Sequence, residues 1–171
     1  MPLSHAADVT FNGTQVNVAA GGASSYDVGT VTASTTLNFA GAGTATITNL
    51  NGDAPEAVLT VNRAANGGVN LSTLTLNGPG TFNGIISLFS NTTAGTQNNF
   101  LNLNHAQAAQ HATIRLGGHA YATGASVLKA GVNTSISKLE HNNAAALITG
   151  EGTTLTITGI LPLTAAVSAA P

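Results

Sequence analysis

Residues 74–78 read Leu74-Thr-Leu-Asn-Gly78. Two apolar side chains are separated by one polar residue, and a glycine follows. In an extended chain successive side chains point to opposite faces, so Leu74 and Leu76 share one face and Thr75 takes the other. The glycine then supplies a turn that needs no Cβ. The same pattern, Φ-x-Φ-x-Gly with Φ apolar, recurs as Val9-Thr-Phe-Asn-Gly13, Leu37-Asn-Phe-Ala-Gly41, Ile114-Arg-Leu-Gly-Gly118 and Leu155-Thr-Ile-Thr-Gly159. The starts lie 28, 37, 40 and 41 residues apart. A strand with one apolar face cannot bury it alone, and repeated units of this kind bury it by stacking. The uneven spacing suggests about two rungs per interval, joined by loops of variable length.

Working outward, the same period of two runs through Val16-Asn-Val18, Thr44-Ala-Thr-Ile-Thr48, Thr113-Ile-Arg-Leu116 and Thr154-Leu-Thr-Ile-Thr158. Threonine and valine fit a pleated surface because they branch at Cβ. Gly21-Gly22, Gly41-Ala-Gly43, Asn51-Gly52, Asn66-Gly-Gly68, Asn77-Gly78 and Gly117-Gly118 read as turns between these runs. The best helical stretch is Asn104-His-Ala-Gln-Ala-Ala-Gln-His111, with Asn104 as N-cap. It is too short to stand alone, so it reads as one turn or a short helix on a loop. The Ala-rich run Asn143–Ile148 reads as the start of a strand. The expected fold is therefore all-β: a single-stranded, right-handed parallel β-helix over residues 9–160. Residues 1–8 would be a tail or signal-peptide remnant, and residues 161–171 a last strand and tail. A β-sandwich is the alternative, since its strands also alternate. Sandwich cores lean on large aromatics, and aromatics make up only 4% of this chain. Small side chains stacking on their own kind suit the narrow coil better, and so do Asn and Thr ladders between rungs.

Composition narrows function by exclusion. Only 6% of the 171 residues are charged, against about a quarter in an ordinary soluble domain. Arg63, Arg115, Lys129 and Lys138 are too few to neutralise a nucleic-acid backbone. No apolar run is long enough to span a membrane as a helix. The absence of cysteine excludes a disulfide scaffold or a thiolate zinc module. Ser4-His-Ala6 before Ala7 and Asp8 has the small-residue character of a signal cleavage site, which points to a secreted chain.

The chemistry-bearing residues form no recognisable catalytic set. His5, His105, His111, His119 and His141 lack the i, i+4 spacing of a helical metal pair. Asp53 and Glu56 stand close together in Asn51-Gly-Asp-Ala-Pro-Glu56, which could form one wall of a calcium site but reads as a solvated turn. The other carboxylates, Asp8, Asp27, Glu140 and Glu151, are scattered. A polysaccharide lyase would need Arg63 or Arg115 brought beside Asp53 or Glu56 as proton-abstracting base. Ser24-Ser25 makes no nucleophile elbow, and no phosphate-binding loop is present. The Thr-x-Thr pairs Thr30/Thr32, Thr44/Thr46, Thr73/Thr75 and Thr154/Thr156 would match an ice lattice only if aligned on one flat face. No catalytic, cofactor-binding or metal residue is assigned.

The stretch Leu74-Thr-Leu-Asn-Gly-Pro-Gly-Thr-Phe-Asn-Gly-Ile85 resembles the autotransporter-associated β-strand repeat of secreted bacterial β-helical proteins. Asn104–Gly118 is similar to the family's small-residue segment that leads into a strand and glycines. Gly131–Leu139, Leu147–Gly150 and Thr154–Gly159 are similar to the family's next strands. The resemblance covers residues 58–159 and is one of repeat style. It implies an exported, non-catalytic passenger, adhesive or structural, at the bacterial cell surface or beyond. Its Thr/Asn/Ser surface would bind glycans or other cells. A carbohydrate-active β-helix enzyme or glycan-binding module is the alternative, and ice binding stands third. Solenoid ends are unpaired strand edges, so end-to-end self-association is expected as well.

Overall fold

A computed structural model describes residues 6–63, 70–90, 97–118, 125–141 and 145–159. It shows a parallel β-helix. Among the described residues fourteen strands succeed one another: β1 (Ala7–Asn12), β2 (Val16–Val18), β3 (Ala23–Ala33), β4 (Thr35–Phe39), β5 (Gly43–Asn51), β6 (Val58–Arg63), β7 (Asn70–Leu76), β8 (Ile85–Ser90), β9 (Gln97–Leu103), β10 (Ala109–Gly118), β11 (Ala125–Ala130), β12 (Thr134–His141), β13 (Ala145–Thr149) and β14 (Leu155–Ile157). The odd-numbered strands form one seven-stranded sheet in chain order, and the even-numbered strands form the other. Each coil thus lends one strand to each sheet. Every pairing is parallel, which excludes the hairpin-built sandwich.

Apolar columns hold the two sheets together. In the odd sheet Ala45, Leu74, Leu101 and Leu128 stack in register, and Ile47, Leu76, Leu103 and Ala130 form the next column. In the even sheet the columns are Leu37–Val61–Leu88–Leu116 and Leu59–Ile86–Ile114–Leu139. All of these side chains are buried. The period of two in each strand sets which residues enter, and parallel register then places like on like.

The Φ-x-Φ-x-Gly units sit differently from the spacing argument. They fall in β1, β4, β7, β10 and β14, so the first three intervals are one and a half coils and only the last is two. Successive units therefore lie mostly on opposite sheets and do not stack on one another. The motif marks any inward pair that is followed by a corner. One turn assignment also changes. Gly117 and Gly118 belong to β10, where they pair with Phe89 and Ser90. Of the two readings of Asn104–His111 the single turn holds: residues 105–108 form a turn closed by Ala108 N–H donating to the His105 carbonyl at 3.1 Å, and Ala109 already begins β10. A short Ala/Gln run gains little as an isolated helix turn, and β12 pairs with the chain from Ala109 onward, with a register shift before Thr113. The strand expected over Asn143–Ile148 corresponds to β13. His5, Asn66, His119 and residues 161–171 lie outside the described residues.

The corners leading from odd to even strands make a third, irregular side. Residues 49–52, 80–83 and 107–108 run along it, linked by backbone hydrogen bonds from Thr81 and Phe82 to the Leu50 carbonyl and from Gly80 to the Gln107 carbonyl. Successive corners approach closely here. A Cβ on Gly80 would lie 2.6 Å from the Leu50 carbonyl oxygen and 2.7 Å from that of Ala108. Gly52 has φ +150°, and a Cβ there would collide with the Val31 carbonyl oxygen. These glycines let the corners nest.

Candidate functional site

The odd-to-even corners bring together the polar residues that the strands cannot. Asn51, at the end of β5, accepts from Thr81 at its Oδ1, from the backbone N–H at 3.2 Å and from the hydroxyl at 3.1 Å. In the same corner, two residues beyond Thr81, Asn83 reaches back across a full coil. Its Nδ2 donates to Asp53 Oδ1 at 2.8 Å, and its Oδ1 accepts from the Ala54 N–H at 2.9 Å. Asp53, Asn83 and His111, from three consecutive coils, line an open groove of about 390 Å³ together with Gly52 and Thr81. Asp53, Thr81 and His111 are exposed.

A second open groove, of about 550 Å³, continues along the same side, lined by Ala106, Gln107, Asn133, Thr134, Ser135, Thr154 and Thr156. It is built the same way. The Thr134 hydroxyl donates to the His105 and Ala106 carbonyls at 3.1 Å each, and Asn133 Oδ1 accepts from the Thr154 N–H at 2.9 Å. Both grooves therefore present amides, hydroxyls and, in the first, one carboxylate and one imidazole, and bonds between coils anchor Asp53, Thr81, Asn83, Asn133 and Thr134 among them.

The outer faces carry polar ladders as well. On the even sheet Asn17, Asn38 and Asn62 lie in register on three successive strands, with Asn38 Nδ2 donating to Asn17 Oδ1 at 3.1 Å. On the odd sheet Thr44/Thr46 and Thr73/Thr75 align on adjacent strands. The array stops there: Ala23 and Ser25 precede it, and Phe100 and Asn102 succeed it. Thr30 pairs with Asn51 and Thr156 with Ser135, outside that array. The aligned threonines thus form a patch two strands wide.

The residues a lyase would need are not brought together. Asp53 and Glu56 lie in the corner before β6, and Arg63 ends that strand, about 17 Å along the backbone from Val58. Arg115 is engaged elsewhere: its Nε donates to Glu140 Oε2 at 2.7 Å, across the β10–β12 pair. Lys138 Nζ donates to Glu140 Oε1 at 3.0 Å, two residues away on the same face. Partial burial pushes the Glu140 carboxyl upward. Hydrogen bonds from Lys138 and Arg115, together with their positive charges, outweigh this and hold it below the ordinary carboxylate value. Among the described residues no three His, Asp or Glu side chains gather in a way that could hold a metal ion. His105 is used locally, its Nδ1 accepting from the Gln107 N–H at 3.1 Å, and His141 is exposed at the end of β12.

Sequence reasoning missed one buried feature. Ser72, Asn99 and Ser126 form an inward polar column at the start of β7, β9 and β11. Their spacing of 27 residues, twice over, is shared by Leu74, Leu101 and Leu128, and was the signal that could have exposed the coil length. The groove pair Asp53–Asn83 was missed because its members stand 30 residues apart. No protein-family model, curated protein or solved structure gives a match to this chain. The fold alone sets its class, that of the parallel β-helical solenoids.

Proposed function

We propose that this chain is a non-catalytic, structural or adhesive β-helical segment that binds glycans along its odd-to-even side. The observation that supports this reading best is the pair of open grooves on that side, lined by amides and hydroxyls of which Thr81, Asn83, Asn133 and Thr134 are fixed by bonds between coils. Neutral sugars present rows of hydroxyl groups that both donate and accept, and preorganised amide, hydroxyl and carboxylate groups match them without an ordering cost at binding. The low charge of the chain suits uncharged ligands, since it offers no field to steer charged ones. The bacterial secreted or surface-displayed setting rests on the resemblance of residues 58–159 to the autotransporter-associated repeat.

The catalytic alternative has less behind it. Proton abstraction from a polysaccharide needs a base beside the sugar and cations or acids around its carboxylate. Arg115 is bound by Glu140, and Arg63 lies at the far end of β6 from Asp53 and Glu56. Binding of the full chain to an array of neutral and acidic oligosaccharides tests the proposal. Binding to neutral glycans that is weakened by Asn83→Ala supports it. Failure to bind any glycan overturns the ligand class, and release of unsaturated or reducing sugar ends overturns the non-catalytic reading.

A further inference from the structure

We propose that the two grooves form one continuous track, and that its ligand is a single extended chain of neutral sugars of the ribbon-like, β-1,4-linked kind. The inference rests on the glycan-binding reading and adds the ligand's length and shape.

The grooves meet on one corner. The first takes Gly52 and Asp53 from the corner after β5, Thr81 and Asn83 from the corner after β7, and His111 near the start of β10. The second takes Ala106 and Gln107 from the corner after β9, then residues of the next two coils, Asn133 and Thr154 among them. Both draw on the stretch 106–111, and together they cross five successive coils. Backbone bonds tie these coils corner to corner. Asn83 N–H donates to the Gly52 carbonyl at 3.3 Å, Gly80 N–H to Gln107 at 3.0 Å, Ser135 N–H to Ala106 at 3.3 Å and Thr134 N–H to Thr154 at 3.0 Å.

The track runs obliquely. Gly80 bonds to Gln107 while the Gly84 carbonyl accepts from the Thr113 N–H at 2.9 Å, so the track sidesteps along the shared corner between His111 and Gln107. Between these two stand Ala108 and Ala109, both small and buried, and Gln110. The step is therefore low, and the Gln110 amide both donates and accepts. Five coils stacked about 4.8 Å apart rise about 19 Å, and four residues reach about 14 Å sideways at most. The path is thus about 20–24 Å long, room for about four rings of an extended sugar chain.

The lining selects this ligand over a single sugar or a charged polymer. Both grooves are open, so neither encloses a ring as a small-ligand pocket does. An open track binds instead by adding weak contacts along a chain, each further one being intramolecular. Among the described residues Asp53 and His111 are the only ionisable side chains lining either groove. One carboxylate and one imidazole do not make a polyanion site, whereas amides and hydroxyls suit rows of sugar hydroxyls. Shape follows from the stack: corners that advance coil by coil match an extended ribbon, and a coiled α-linked glucan leaves such a track after a few rings.

Titration calorimetry of the full chain with cello-, manno- and xylo-oligosaccharides, from the disaccharide to the hexasaccharide, tests this. In at least one series affinity should rise about tenfold or more with length and then level off near the tetrasaccharide or pentasaccharide, with one hexasaccharide bound per chain. Gln107 and His111 are exposed, one in each groove, so their replacement leaves the core intact. Gln107→Ala and His111→Ala should each weaken hexasaccharide binding about threefold to tenfold, and circular dichroism checks that both keep the fold. Affinity that does not grow beyond the disaccharide, two hexasaccharides per chain, or a loss confined to one variant overturns the single track and leaves glycan binding standing. A preference for α-linked glucans overturns the ribbon shape. If no glycan binds at all, the glycan reading fails and this inference fails with it.

Discussion

Asn83 clamps the corner of the preceding coil. Its amide nitrogen holds Asp53 Oδ1 at 2.8 Å while its amide oxygen holds the Ala54 N–H at 2.9 Å. One side chain thus fixes both a carboxylate of the groove and the backbone beside it. Asn83→Ala removes both bonds and leaves the Ala54 donor to find water. The expected loss is about 1–2 kcal/mol in urea unfolding, with the m-value unchanged. Asn83→Asp is expected to be worse at neutral pH, because it loses the donor and faces Asp53 with a second negative charge. That extra loss should shrink on acidification, which a denaturation midpoint measured at pH 7 and at pH 4 will check.

The Arg115–Glu140–Lys138 cluster predicts an acid-dependent increment of stability. The Glu140 carboxyl sits below its ordinary value in the folded chain, so its charged form is stabilised by folding. That contribution is complete above the unfolded value of about 4.3 and is lost as pH falls through the lowered folded value. The side chains of Arg115 and Lys138 are 38% and 40% exposed, so solvent screens the interaction and it is worth about 0.5–1 kcal/mol. Glu140→Gln should lower stability by that amount at pH 7. The difference from wild type should vanish in strong acid and fall in 1 M salt.

One physical division separates the legible from the hidden in this sequence. Leu74 and Leu76, Leu37 and Phe39, and Val18 enter the core as their alternation dictates, because side-chain direction in a strand is local. Which residues lie above them depends on coil length, and coil length is set at corners that alternation does not report. Residues 13–15 join β1 to β2, Ser34 alone joins β3 to β4, and residues 77–84 join β7 to β8. Gly117-Gly118 reads as a corner because glycine breaks isolated strands, yet β8, pairing through Phe89 and Ser90, holds β10 extended through them. The grooves were hidden for the same reason as the coil length: Asp53, Asn83 and His111 become neighbours only once three coils are stacked.

Gly80 tests how tightly the corners nest. Its missing Cβ leaves room for the Leu50 and Ala108 carbonyl oxygens, at 2.6 and 2.7 Å from where the carbon would sit. Both are backbone atoms of neighbouring coils and cannot rotate away as a flexible side chain could. Gly80→Ala should therefore cost about 1–3 kcal/mol, in contrast to the gain expected when alanine replaces an unconstrained glycine. Thermal and urea unfolding of this one variant decides the matter, and an unchanged midpoint would mean that the corners have slack.

The buried polar column offers the sharpest contrast, because two serines in one row predict opposite signs. Ser126 Oγ donates to the Gly117 carbonyl at 2.7 Å and lies 3.2 Å from the Leu88 carbonyl. Ser72 occupies the same row two odd-sheet strands earlier, fully buried, and its hydroxyl has no hydrogen-bond partner among the described residues. Removing a satisfied hydroxyl leaves its acceptors exposed to an apolar core, so Ser126→Ala should lose about 1 kcal/mol. Removing an unsatisfied hydroxyl relieves a desolvation cost, so Ser72→Ala should be neutral or gain up to about 1 kcal/mol. Urea unfolding of the two single variants against wild type reads both effects, and the same ordering should appear in thermal midpoints. A loss at Ser72 as large as that at Ser126 would show that the Ser72 hydroxyl is satisfied in solution, with buried water as the natural partner.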